Sequence, residues 1–129
     1  MRNNDIPKLH QLHVKSLNCL NNPEATIADL LSCLYDLNVE ELRIFQMCMK
    51  LGRFNLDEIA EMAAKDRTTI HRILQKLVSA GLVTKEFGSI PRGGRISVFE
   101  AMPLSVIKMQ IRDRMRNLEE NVSRILESL

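Results

Sequence analysis

Residues 66–81 combine a face of hydrogen-bond donors with an apolar stripe at helical spacing. The stripe consists of Ile70, Ile73, Leu74, Leu77 and Val78, which recur every three or four residues. The opposite face carries side chains that can donate to phosphates and base edges, namely Arg67, Thr68, His71, Arg72, Gln75 and Lys76. Because a solvated helix normally mixes charges of both signs, this carboxylate-free face predicts a polyanionic partner.

The sequence also predicts where this helix begins and ends. Asp66 is suited to cap the first free backbone N–H groups, and Gly81 is suited to the left-handed position that ends a helix. We therefore expect a helix over residues 66–80, with Leu82 folded back on its last turn. A basic amphipathic helix alone is more often an ordinary surface helix, so the neighbouring segments must decide between the two interpretations.

The segment before it predicts a helix-turn-helix. Asn55 is suited to cap a short helix over residues 56–65, in which Ile59, Ala60 and Ala63 form a face of mostly small residues. The turn 64–66 is very short, so this helix and the next must cross at a large angle. The 66–80 helix is then the second helix of the motif, the position that reads DNA in such proteins.

Two earlier helices complete the predicted helical part of the domain. Asn22 followed by Pro23 predicts the start of one helix. Asn38 with Glu41 three residues later is typical of a capping box, and Gly52 predicts the end of that second helix.

After Gly81 the apolar period changes from helical to alternating, which is typical of strands. Residues 82–87 and 95–101 are predicted strands, and the Gly- and Pro-rich loop 88–94 joins them. We interpret residues 82–101 as the wing of a winged helix-turn-helix, with basic residues for phosphates or an adjacent minor groove. The complete predicted DNA-contact set is Arg67, Thr68, Thr69, His71, Arg72, Gln75, Lys76, Lys85, Arg92 and Arg95.

A last helix is predicted from Pro103 to Leu129, with apolar residues in a heptad pattern. The predicted dimerisation seam contains Leu104, Ile111, Met115, Leu118, Val122, Ile125 and Leu129, with Lys108 at one core position. A helix of this length, roughly 40 Å at about 1.5 Å per residue, cannot lie wholly on a small domain. We therefore expect a homodimer, although the helix can alternatively pack on its own N-terminal helices.

Composition limits the class of protein. The chain has 129 residues, 45% of them hydrophobic, which suffices for one domain or for one domain and an arm. We find no run of about eighteen apolar residues and no apolar signal segment, so we expect a cytoplasmic protein with no membrane partner. The three cysteines, Cys19, Cys33 and Cys48, are an odd number without a close pair, which predicts reduced thiols.

The charge is unevenly distributed although the net charge is only +2. Seven basic and two acidic residues lie between Lys65 and Arg95, giving that segment +5 and the remainder −3. A basic segment in a nearly neutral chain predicts a local site for a polyanion.

The domain boundaries follow from these features. Residues 1–21 are predicted to form a polar arm, residues 22–102 the DNA-binding domain and residues 103–129 the dimerisation helix. His10, His13 and Cys19 in the arm lack a fourth ligand at a recognisable spacing, so we predict no metal site. The fold class is then mainly α with a small β-hairpin.

Three segments, residues 37–45, 56–60 and 66–83, give the chain its resemblance to the TrmB-like and MarR-like winged-helix regulators, particularly small archaeal members. The resemblance covers roughly residues 26–103. It implies a dimeric transcription regulator that binds double-stranded DNA with helix 66–80 in the major groove. Larger TrmB members carry a sugar-binding domain after the coiled coil, which we do not expect here, and the sequence identifies no small-molecule effector.

Two other classes of function compete with regulation. An enzyme would need a catalytic constellation, and the sequence contains no Gly-rich phosphate loop, no paired catalytic carboxylates and no supported Cys–His pair, so we expect neither an enzyme nor a cofactor. The stronger rival is a winged-helix module that binds another protein in a larger assembly. Such a module would more often expose apolar residues where this chain carries Thr68, His71, Arg72 and Gln75.

Overall fold

The computed structural model describes residues 21–91 and 93–129, so the predicted arm lies outside the described residues apart from Asn21. The described residues form the helices α1 (Ile27–Tyr35), α2 (Val39–Leu51), α3 (Leu56–Ala63), α4 (Arg67–Ser79) and α5 (Leu104–Glu127) and the strands β1 (Arg53–Phe54), β2 (Val83–Ile90) and β3 (Gly94–Ala101). This order confirms the predicted class, mainly α with a β-hairpin. The chain divides within α2 into two compact units, residues 1–47 and 48–129.

The first helix begins four residues later than Asn22 and Pro23 predicted. Thr26 is its N-cap: the Thr26 backbone N–H donates to Asp29 Oδ2 at 2.9 Å, and the Asp29 N–H donates to Thr26 Oγ1 at 3.3 Å. Asn22 instead accepts the Glu24 N–H at 3.0 Å within a preceding turn. The prediction was wrong because both segments carry a capping signal and only the second is completed by a reciprocal bond.

The second helix begins as predicted. The Asn38 backbone N–H donates to Glu41 Oε1 at 2.9 Å, and the Glu41 N–H donates to Asn38 Oδ1 at 2.8 Å. Gly52 follows the helix with φ 70°, a left-handed conformation that glycine adopts without a steric penalty.

The helix-turn-helix of the second unit is formed by α3 and α4. Asn55 caps α3 in a capping box with Glu58, and Ile59, Ala60 and Ala63 are buried, as predicted. The helix ends two residues earlier than predicted because Ala64 adopts a left-handed conformation, with φ 55°. Only Lys65 and the N-cap residue Asp66 then separate this residue from α4.

The three-stranded antiparallel sheet has the order β1-β3-β2. The hairpin strands are longer than predicted because residues 88–90 continue the pairing, with Gly88 opposite Ile96 and Ile90 opposite Gly94. The short β1 was not predicted. It places Phe54 opposite Phe99, and the two rings stack with their centroids 5.8 Å apart. This pairing joins the segment immediately before α3 to the central strand of the wing.

The C-terminal helix begins after Pro103, as predicted, but it ends at Glu127, two residues before the predicted Leu129. Ile107 and Ile111 on its first turns are buried. Every residue from Arg112 to Leu129 is exposed. None of the helices in the described part of the chain is long and apolar enough to span a membrane.

The cysteines differ from the expectation of three reduced thiols. Cys48 is free and buried, whereas Cys33 is disulfide-bonded. Cys19 lies outside the described residues. Burial raises the pKa of the Cys48 thiol to about 12, because the thiolate would lose its hydration there.

Candidate nucleic-acid interface

The two faces of α4 separate as its sequence pattern predicts. Ile70, Ile73, Leu74 and Leu77 are at most 1% exposed and anchor the helix in the core of the second unit. The outward face presents Arg67, Thr68, His71, Arg72 and Gln75 as exposed side chains, while Thr69 and Lys76 are half-buried. Burial of one stripe therefore fixes the direction in which the donor face points.

At the N-terminal end of α4, Asp66 occupies the N-cap position in an extended conformation. Its side chain does not form the predicted cap hydrogen bond. A hydrogen bond with the Thr69 side chain is the largest of the interactions that lower the pKa of Asp66, and Lys65 contributes a weaker electrostatic effect. The carboxylate therefore interacts with Thr69, one of the predicted contact residues.

Arg67, the first residue of α4, forms an ion pair with α3. Arg67 Nη1 donates to Asp57 Oδ1 in an ion pair that joins the two helices of the motif. Both side chains remain accessible, with 64% of the arginine and 67% of the aspartate side chain exposed. An arginine predicted to contact DNA is thus held by a carboxylate in the protein itself.

A cleft runs between α4 and the hairpin. One part, about 270 Å³, has Leu74, Val78 and Phe99 among its apolar lining residues and His71, Gln75 and Lys85 among its polar ones. A second part, about 310 Å³, shares His71, Lys85 and Phe99 and extends to Arg67 and Arg95. The cleft therefore brings together five residues of the predicted contact set, three from α4 and one from each strand of the hairpin.

Cations and aromatic rings alternate along the hairpin. Lys85 Nζ lies 5.6 Å from the ring centroid of Phe87 and 6.0 Å from that of Phe99, and Arg95 Cζ lies 5.8 Å from the Phe87 centroid. Rings at these distances attract a cation and restrict where its charge can lie. Between Lys85 and Phe87 in the same strand, Glu86 pairs with Arg53 of β1 at 3.4 Å. Arg92, predicted for the wing tip, lies outside the described residues.

Of the seven predicted dimerisation residues, one is buried and the other six are exposed. Ile111 is only 8% exposed and belongs to the core of its own chain. Leu104 lies at the start of the helix and is 37% exposed. The others form an exposed apolar row of Met115, Leu118, Val122, Ile125 and Leu129, to which the structure adds Leu126. We call these six residues the α5 row.

Sequence reasoning missed Asp57, Phe87 and Phe99 as parts of this interface. Asp57 carried only the signal of an acidic residue in the first turn of a helix, which usually indicates stabilisation of the helix dipole. The two phenylalanines were interpreted as strand residues, and nothing local indicated that basic side chains lie over their rings.

Comparisons with known proteins agree with this architecture. A family model described as "Sugar-specific transcriptional regulator TrmB" matches residues 20–105. The uncharacterized protein MJ1503 of Methanocaldococcus jannaschii is 31% identical over 104 residues, which is 81% of this chain and 79% of that protein. A second protein of that organism, MJ1082, is 29% identical over 78% of this chain and 83% of its own length.

A solved structure shows the same fold. The possible transcriptional regulator from Methanosarcina mazei Go1 superposes with a TM-score of 0.66 at 14% identity, covering 82% of this chain and 92% of that one. The ST1889 protein from Sulfolobus tokodaii gives a TM-score of 0.56 at 16% identity, covering 73% of this chain and 92% of that one. At such low identity the likeness extends to the fold alone.

Proposed function

We propose that this chain, which belongs to the TrmB family of transcriptional regulators, acts as a homodimer that binds double-stranded DNA by sequence. In this proposal α4 enters the major groove, and the hairpin contacts phosphates or the adjacent minor groove. The family consists of transcriptional regulators and is not an enzyme class.

The observation that carries the proposal is the outward face of α4. Residues 67–79 contain no Asp or Glu, and their exposed side chains include Arg67, Arg72 and Gln75. Arginine can bind guanine and glutamine can bind adenine through two hydrogen bonds each in the major groove. A helix face that served only solubility would not need this restriction to donors.

The cleft beside α4 supports a role for the wing. A sugar-phosphate strand separates the major groove from the minor groove, so a protein that reaches both must accommodate that strand between its helix and its wing. Lys85 and His71 lie on opposite walls of the cleft and can donate to the phosphates of this strand. These contacts would set affinity and orientation without reading sequence.

The α5 row supports the homodimer. Its six apolar side chains are between 39% and 96% exposed in the single chain. At about 25 cal/mol per Å² of apolar surface, leaving such a row in water costs several kcal/mol relative to covering it. A second α5 carries a matching row and would bring two α4 helices to one duplex.

The test is selection of duplex DNA from a random pool, followed by affinity measurements on α4 variants. We expect an inverted repeat with half-site centres about 10 base pairs apart or a multiple of that. Arg72→Ala or Gln75→Ala should weaken binding by about 1–3 kcal/mol and relax preference at one base pair. Arg116→Ala, which removes an exposed arginine of α5, is the matched control and should leave that preference intact.

Two results would contradict the proposal. Retention of a duplex in low salt without any enrichment of sequence would remove the reading role of α4. If neither the wild-type chain nor its variants retain duplex at any salt concentration, the competing function as a protein-interaction module is supported instead.

A further inference from the structure

We infer that Asp57 is a positioning residue for DNA recognition, which holds the Arg67 guanidinium at the start of α4 and restrains it from binding phosphates in any sequence. The inference rests on the proposed function. It adds a residue that helps the protein to discriminate its preferred DNA sequence from other duplex DNA.

The geometry makes the restraint direct. The Asp57 carboxylate accepts from Nη1 of Arg67, which leaves Nη2 and Nε of the guanidinium available to another partner. More than three-fifths of each side chain is exposed, so DNA can reach the pair in place. Exposed ion pairs are weak, so Asp57 lowers the affinity of the arginine for phosphates only modestly, and a base edge can still bind the guanidinium.

The electrostatic surroundings single out this carboxylate. Of the described residues that line the second part of the cleft, Asp57 is the only acidic one, beside Arg67, His71, Lys85 and Arg95. The next carboxylate at the start of α4, Asp66, interacts with Thr69 instead. Removing the charge of Asp57 would therefore leave no acidic side chain in this lining, so that its basic residues would attract any phosphate backbone.

Asp57 should affect non-specific DNA binding and binding to the preferred sequence differently, because the two depend on different contacts. Binding without sequence preference consists almost entirely of phosphate contacts, and an arginine already neutralised by Asp57 adds little to them. Binding to the preferred site depends on directional hydrogen bonds, for which a guanidinium held in one orientation is an advantage. Asp57 should thus weaken non-specific binding more than it weakens specific binding.

The experiment compares wild type with Asp57→Asn, which keeps the size of the side chain and removes its charge. Fluorescence anisotropy would measure affinity across a salt series for the selected duplex and for a scrambled duplex of the same length. We expect the variant to bind the scrambled duplex roughly two- to fivefold more tightly, the range typical of an exposed ion pair. The slope of log affinity against log salt should steepen by about 0.9 for that duplex, which corresponds to one additional phosphate contact.

Three matched variants separate this role from others. Glu61→Gln makes the same charge change one turn further along α3, and it should not reproduce the effect. Asp57→Glu retains the carboxylate and should preserve most of the discrimination. In an Arg67→Gln background, Asp57→Asn should have no further effect on either duplex, because a double-mutant cycle isolates the interaction between the two residues.

Each contrary result has a distinct meaning. A parallel loss of affinity for both duplexes with a lower melting temperature would make Asp57 a purely structural residue and overturn the inference. An equal effect of Glu61→Gln, or an effect of Asp57→Asn that persists without Arg67, would overturn it as well. If the wild-type chain itself prefers no duplex, the proposed function fails first, and the wild-type measurement alone reveals that.

Discussion

The backbone N–H of Leu82 donates to the carbonyl oxygen of Leu77 at 3.0 Å, across the turn at which α4 ends and the wing begins. The N–H of Gly81 donates to the Val78 carbonyl, also at 3.0 Å, and Gly81 has φ 80°. This pair of bonds is the Schellman arrangement, and Leu77 and Leu82 are both fully buried beside it. The direction of the wing relative to α4 is therefore determined by one left-handed residue.

Replacing Gly81 by alanine should destabilise the domain by about 1–2 kcal/mol, because a side chain disfavours the left-handed conformation. Crowding contributes little, since an added Cβ would meet Gln110 at an ordinary 3.5 Å. Gly81→Asn is the control and should cost less, because asparagine tolerates this conformation better. Urea denaturation measures both variants, and an equal cost for the two would disprove the conformational explanation.

The wing should contribute charge to DNA binding and little sequence information. Changing Lys85 and Arg95 together to glutamine should reduce the magnitude of the log-affinity against log-salt slope by roughly one to two. The control is the pair Arg43→Gln and Lys50→Gln, which removes the same charge from exposed positions of α2. An unchanged slope in the wing variant would place the hairpin away from the phosphates.

The α5 row should hold two chains together. Sedimentation equilibrium at micromolar concentration should show a dimer, which Leu118→Glu with Ile125→Glu converts to a monomer by burying charge in the seam. Truncation before Asn117 should do the same. Ser123→Glu, outside the row, is the control and should remain dimeric. A monomeric wild-type chain that binds one half-site with full affinity would contradict the homodimer.

The raised pKa of the Cys48 thiol predicts that the folded protein loses stability in alkaline solution. Its pKa of about 12 in the folded chain lies above the ordinary value of 9.0, so the folded state retains the proton longer than the unfolded state. The contribution of the buried, protonated thiol to the free energy of unfolding is complete below pH 9.0 and is lost as the pH rises towards about 12. Cys48→Ala should have a flatter stability profile over that interval, measured by urea denaturation. Parallel profiles for the two proteins would contradict the assignment.

Local signals were the part of the fold that the sequence predicted well. The Asn38–Glu41 box and the left-handed Gly81 each depend on residues within a few positions, so their bonding follows from spacing. The predicted start of α1 was wrong because Asn22 and Thr26 both carry capping signals, and the sequence alone does not show which of the two residues caps the helix. The same locality explains the success with α4, whose apolar stripe determines which face is outward.

Relationships between distant residues were not predictable in the same way. The two-residue β1 has no periodicity of its own and exists because Arg53 and Phe54 pair with Glu100 and Phe99. The Asp57–Arg67 pair likewise depends on how α3 and α4 cross. A heptad pattern also treats all core positions of α5 alike, so it could not show that Ile111 is covered by its own chain.

Burial of Ile107 and Ile111 has a further consequence for the proposed dimer. Those residues anchor the first turns of α5 in the core of their own chain, and no glycine or proline interrupts residues 104–129. A continuous helix resists twisting, whereas each base pair inserted between two half-sites rotates one relative to the other by roughly 35°. DNA binding should therefore depend on the rotation of one half-site relative to the other about the axis of the duplex. Insertion of one base pair between the half-sites should weaken binding sharply, and insertion of a full helical turn of DNA should partly restore it.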